Sequence, residues 1–220
     1  MHLKADYPHL NPTKRFFSMK WMQQCLAMLA LAVVSTTAAL AGKVNGKFVV
    51  NTSQSTLNWK GEKVTGEHSG TVQIAGGELT VVNDQFKAGT FTINMSSITV
   101  TDIKDPGTNA KLLGHLKSDD FFSTAKYPTS TFEATSIAPA GQAGNYLVKG
   151  NLTIKGITQA IEFPASIVIN GKNLMATATI KVDRTKFDIR YGSKSFFQSI
   201  GDKAIYDDFT IDVKLVATLQ

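Results

Sequence analysis

Seven stretches of this chain alternate apolar and polar residues with a period of two, and that pattern restricts the fold more than any other feature. In the last of them Phe209, Ile211, Val213, Leu215 and Ala217 oppose Thr210, Asp212, Lys214 and Val216. Earlier runs behave the same way: Leu57-Trp59, Val72-Ile74, Phe91-Ile93-Met95, Tyr146 to Ile154, Ile161 to Ile169 and Leu174 to Val182. Successive side chains on a strand point to opposite faces, so such runs have one dry face and one wet face. That is the mark of antiparallel sheet with water on one side.

Turn signals separate the runs at Gly76-Gly77, Asn83-Asp84, Gly141 to Asn145, Lys155-Gly156 and Asn170-Gly171. The spacing predicts about eight to ten strands, and closing them into an up-and-down barrel leaves no free edge. A two-sheet sandwich is the competing arrangement. One helix is expected near 108–117, started by Asp105-Pro106-Gly107-Thr108 and carrying Leu112, Leu113 and Leu116 at helical spacing. A helix of roughly ten residues is marginal alone in water, so it must dock, and a barrel mouth is the obvious place.

The first 41 residues differ in character. Lys14, Arg15 and Lys20 form a basic front, and Cys25 to Leu40 is uncharged and mostly apolar. Ala39-Leu40-Ala41 supplies the small residues of a signal-peptidase site. A leader cleaved before Gly42, with Met1 or Met19 as its start, therefore predicts a periplasmic or secreted protein, with the single domain at 42–220. The apolar run is shorter than the ~20 residues of a membrane span. Removing the leader's four basic residues and Asp6 takes the net charge from +6 to +3. No concentrated basic patch is left to suggest nucleic acid as a partner. Cys25, the only cysteine, lies in the leader, which excludes disulfides, thiolate metal sites and a cysteine nucleophile from the rest.

Nothing in the remaining residues spells a catalytic motif: there is no G-x-S-x-G, no Walker loop and no H-E-x-x-H. The enzyme alternative rests on His68, beside Glu67, and His115, before Asp119-Asp120. The residues favour a protein that is not an enzyme and has neither metal nor catalytic cofactor. Asp183-Arg184 and Asp188-Arg190 suggest an ion-pair cluster at a barrel rim, with a site for a polar head group as the alternative. Two adjacent-Phe segments, Phe121-Phe122 and Phe196-Phe197, are too apolar for ordinary loops. They are expected at the barrel ends, as a lining for an entrance or as plugs. Ala165, Ala176, Ala178 and Ala217 on the inner face leave space inside unless a large aromatic fills it. An eight-stranded barrel can be either packed or hollow.

The motifs HLKSDDFF and YPTSTFE at 115–133, GNLTIKGIT at 150–158 and DRTKFDIRYG at 183–192 resemble the YceI-like polyisoprenoid-binding proteins. STLNW at 55–59, GEHSG at 66–70, GTFTINMSSI at 89–98 and DDFTIDVKL at 207–215 extend the resemblance over nearly all of 48–220. It implies an extended antiparallel barrel of lipocalin-like shape that holds an isoprenoid quinone or similar long-chain lipid. Transient membrane contact is compatible with that role, and so is a dimer. The expected lining is Trp59, Phe91, Phe132, Phe163 and Phe187, with Phe121, Phe122, Tyr191, Phe196 and Phe197 nearer the openings. A filled barrel serving a structural or stress-response role is the other alternative.

Overall fold

The computed structural model describes residues 43–220 except Gln198 and Ile200, so the leader expected at 1–41 lies outside the described residues. Ten strands follow in order: β1 Gly46–Val50, β2 Thr56–Lys63, β3 Gly66–Thr71, β4 Gln73–Val82, β5 Gln85–Asn94, β6 Thr129–Pro139, β7 Asn145–Ile154, β8 Ile157–Asn170, β9 Asn173–Asp183 and β10 Ile205–Leu219. The helix α1, Pro106–Lys117, lies between β5 and β6.

From β4 onward each strand pairs antiparallel with the next. Two-residue turns set the register at three of these six pairings. Asn83 and Asp84 (φ 53° and 64°) join β4 to β5, and Lys155 and Gly156 (φ 51° and 73°) join β7 to β8. Positive φ at both central residues gives a turn whose twist matches that of the flanking strands. The β8–β9 turn is centred on Gly171-Lys172, one residue later than Asn170-Gly171, because Asn170 pairs with Asn173.

β1 pairs with both β4 and β10, which closes an eight-stranded ring. β1 and β2 lie end to end along one edge of β10, on residues 217–219 and 205–214 respectively. The hairpin β2–β3 therefore extends the wall at the β10 N-terminal end. Beyond it Thr99 and Thr101 donate their amides to Thr71 and Ser69, adding a stretch of main chain beside β3.

Gly76-Gly77 is not a turn. Both glycines belong to β4, where the register slips between Ile74 and Gly76. This bulge changes the phase, so Ile74 and then Leu79 and Val81 all face inward. A Cβ on Gly77 would lie 2.6 Å from Phe91 Cδ1, so a bare backbone is what lets the Phe91 ring lie there.

The helix begins two residues earlier than the spacing suggests. Asp105 Oδ1 accepts from the Thr108 amide (2.8 Å) and hydroxyl (2.6 Å), and Pro106 occupies the first turn. Leu116 is buried, and Leu112 and Leu113 pack beside it. At this helical end they join Ile98, Phe121, Phe187 and Ile189 in one core. At the opposite end, where the β4–β5, β6–β7 and β8–β9 turns lie, Phe48, Leu79, Val81, Phe86, Leu174 and Ala217 make another. A third, smaller group of Ala134, Val148 and Phe163 lies on the wall between them.

Candidate functional site

Between the two end cores the barrel is hollow, with a cavity of about 240 Å³. The strand period builds it, since the inward positions of β5 to β10 are the ones that line it. Phe91, Ile93, Leu152, Ile154, Ile180 and Ile211 are typical. Ala134, Ala165, Ala176 and Ala178 lie on the same surface, and their small side chains supply the room. Ala217 does not; it is fully buried in the turn-end core.

An aromatic row crosses the wall. Phe91 stacks on Phe132 with centroids 6.3 Å apart, and Phe132 meets Phe163 at 5.5 Å. Phe132 lies over Gly150 of β7, where a Cβ would approach its Cζ to 2.5 Å. Trp59 lines the cavity from β2, its indole Nε1 donating to the Thr99 carbonyl at 3.0 Å. The indole is only half-buried, and its hydrogen bond ties the β2 wall to the segment beyond β5.

Six of the ten residues singled out by sequence line the cavity: Trp59, Phe91, Phe121, Phe122, Phe132 and Phe163. Phe121 and Phe122 reach it from the irregular segment after α1, as a cover over the helical end. The other four lie elsewhere. Phe187 is 1 % exposed, but it is packed into the helical-end core and does not reach the cavity surface. Tyr191 is exposed and edge-on to His115, at 4.4 Å between centroids. Phe196 and Phe197 are 44 % and 52 % exposed; Arg190 lies over the Phe196 ring at 4.8 Å. Their segment follows a 3₁₀ turn and Gly192, and it turns the rings outward instead of over the opening.

The YceI-like domain family matches residues 48–217. The chain belongs to the YceI-like family. Among curated relatives, the UPF0312 protein of Azotobacter vinelandii is 37 % identical over 59 residues, 27 % of this chain and 30 % of that protein. The UPF0312 protein plu2095 of Photorhabdus laumondii is 33 % identical over 89 residues, 37 % of this chain and 45 % of that protein. The matched stretches thus span less than half the length of these relatives. Two solved structures share the fold. BcnA of Burkholderia cenocepacia has a TM-score of 0.62 at 23 % identity, covering 77 % of this chain and 99 % of its own. A domain from Saccharophagus degradans, described as polyisoprenoid binding and implicated in plant cell wall breakdown, has a TM-score of 0.59 at 14 % identity. It covers 80 % of this chain and all of its own.

The polar groups of this YceI-like domain are mostly spoken for. Arg184 touches the cavity and is 4 % exposed. Its guanidinium donates to the carbonyls of Ile189, Ile205 and Tyr206, and Asp207 lies 3.6 Å away. Burial lowers its pKa, while the Asp207 and Asp183 carboxylates oppose that shift. Arg184 is therefore a clamp between the 184–190 turn and the start of β10. The expected Asp183 partnership is indirect, since Asp183 Oδ1 caps the 3₁₀ turn at Thr185. Asp188 and Arg190 do pair, at 2.6 Å.

The histidines sit apart from the cavity lining. His68 Nδ1 meets Asp102 Oδ2 at 2.8 Å, so its partner is Asp102 and not the neighbouring Glu67. Burial works to raise the Asp102 carboxyl, but the Ser69 amide and the His68 ring outweigh it and hold it below the usual range. His115 Nε2 lies 3.2 Å from Asp120, with its ring against Phe121 and Tyr191. Among the described residues no three His, Cys, Asp or Glu side chains converge as a metal site. Most of the aliphatic lining was not singled out by sequence, and two further residues are instructive. Phe209 was legible from its place in the last alternating run; Ser130, polar and the second residue of β6, was not.

Proposed function

We propose that this protein binds one apolar, chain-like lipid inside its barrel and shields it from water, as a carrier or store. One observation carries the reading: a hollow interior whose surface is built almost wholly from aliphatic and aromatic side chains. Burial of a chain there is favourable at roughly 25 cal/mol per Å², or about 0.8 kcal/mol per methylene, without directional chemistry. For scale, an engineered apolar cavity of about 150 Å³ takes up benzene. The fold shared with a domain described as polyisoprenoid binding supports an isoprenoid as the ligand class. A barrel filled by its own side chains fits poorly with about 240 Å³ of empty interior. An enzyme built on His68 or His115 fits poorly with histidines that stand outside the cavity lining and already hold carboxylates.

Lipid extracted from protein purified from its native host should contain a long apolar chain in near one-to-one ratio. Phe132→Asp places a carboxylate within the aromatic row, where desolvation is costly. That variant should lose the lipid while remaining folded by circular dichroism. A folded variant that keeps its lipid would remove Phe132 from the site.

The setting we infer is extracytoplasmic, after cleavage before Gly42. The basic front, the apolar run and Ala39-Leu40-Ala41 support it. The intact mass of the native protein should correspond to a chain starting at Gly42. A mass that includes the leader overturns both the cleavage and the compartment.

A further inference from the structure

The cavity holds one polar group with nothing to do. Ser130 lines it from β6, is 5 % exposed, and its Oγ has no hydrogen-bond partner among the described residues. Leaving a buried hydroxyl unsatisfied is costly, and such groups in folded proteins call for an explanation. Nothing local supplies one. Ser130 pairs across the sheet with Ile93, and its inward neighbours on β6 are Phe132 and Ala134. An alanine would pack as well there without the orphaned hydroxyl.

Building on the lipid-binding reading, we propose that Ser130 hydrogen-bonds the uncharged polar head of an amphiphile, and so fixes which way round the lipid lies. Rotation about the single Cα–Cβ bond carries Oγ between staggered positions, so the hydroxyl can reach a ligand atom as donor or acceptor. An alcohol, carbonyl or amide satisfies it. A charged head does not fit: the guanidinium on the lining, that of Arg184, is already bonded to three carbonyls and balanced by Asp207, and the lining carboxylate of Asp208 is paired with Lys181. The direction follows from position. Ser130 is one residue inside the start of β6, where the Met95 amide donates to the Pro128 carbonyl at the helical rim. The head then sits beneath Phe121 and Phe122, and the tail runs toward the space made by Ala165, Ala176 and Ala178.

The test is displacement of a fluorescent naphthylamine from the purified protein by three related compounds: farnesol, β-farnesene and farnesyl phosphate. Ser130→Ala should weaken farnesol about fivefold to tenfold, the worth of one ordinary hydrogen bond. It should leave β-farnesene unchanged, and Ser130→Thr, which keeps a hydroxyl, should hold farnesol better than Ser130→Ala does. Without ligand, Ser130→Ala should melt no lower than the parent, because it removes an unsatisfied group. Equal affinity of parent and Ser130→Ala for farnesol overturns the assignment of Ser130 while lipid binding stands. Equal losses for farnesol and β-farnesene, with a lower melting temperature, make Ser130 structural and overturn it too. Tighter binding of farnesyl phosphate than of farnesol overturns the neutral head. If none of the three displaces the probe, the lipid-binding reading fails and the role of Ser130 falls with it.

Discussion

Phe121-Phe122 and Phe196-Phe197 are the same dipeptide in two loops, yet one pair covers the cavity and the other faces water. The first follows α1 directly. Its backbone is wound back on the helix end: Phe122 donates to the Leu116 carbonyl, Thr124 to Lys117 and Ser123 to Ser118. Ser123 adopts φ 46°, and its hydroxyl bonds Asp119. This tight return aims both rings under the helix, where Phe121 is 7 % exposed. In the second pair the Ser193 carbonyl accepts from both Phe196 and Phe197. Both of its rings are exposed. An adjacent-Phe loop is buried, then, when a docked element bends the chain over a hollow, not because it is apolar.

The comparison breaks most visibly if Phe121 is removed. Phe121→Ala should cost about 3 kcal/mol, toward the low end for a buried phenylalanine because one side of the ring already borders empty space. Urea unfolding of the parent and variant measures it. A loss below about 1 kcal/mol would make the cover as loose as the exposed pair.

A smaller effect sharpens the role of α1. The hydroxyl and amide of Thr108 hold the Asp105 carboxyl below the usual carboxylate range. A depressed folded pKa gives stability that is present above the unfolded value, about 3.9, and lost as pH falls through the lower folded value. The cap should therefore weaken only in acid below that point. Asp105→Asn retains a capping side chain but cannot titrate. Its urea midpoint should fall less than that of the parent between about pH 5 and pH 3. Identical acid losses in the two proteins would mean that the cap does not anchor the helix.

The smallest effect is expected at the exposed pair. Phe196→Ala and Phe197→Ala should each stay within about 0.5 kcal/mol of the parent, as surface substitutions generally do. The barrel should keep its melting temperature. A loss near that of Phe121→Ala would mean that the 196–197 rings cover something after all.

Much of the barrel was legible in the residues. Alternation is a local property, so the inward phase of β7 to β10 could be read without knowing what the strands face, and Asn83-Asp84 and Lys155-Gly156 mark their own turns. The reading failed where one residue carries two meanings. Gly76-Gly77 has the composition of a turn, but in β4 it makes a bulge that gives Phe91 its place. The site was half legible for the same reason. Trp59, Phe91, Phe132 and Phe163 sit on strands whose period aims them inward. Phe187, Tyr191, Phe196 and Phe197 sit in turns, where no period says which way a side chain points.

By itself the sequence determined the antiparallel strands, their main turns, the capped helix and the family, because these depend on neighbours a few residues apart or on motifs in order. The tertiary structure decided that the ring closes through β1 and β10, that the interior is hollow, and that Ser130 stands in it unpartnered. It also decided that Arg184 meets Asp207 more directly than its neighbour Asp183, and that His68 meets Asp102 across 34 positions of chain. Burial and pairing are set by whatever lies across the fold, and those neighbours come from strands far apart in the sequence. A periodic pattern can say that a side chain faces inward, but whether it finds packing, a partner or an empty space depends on the volumes that the other strands bring.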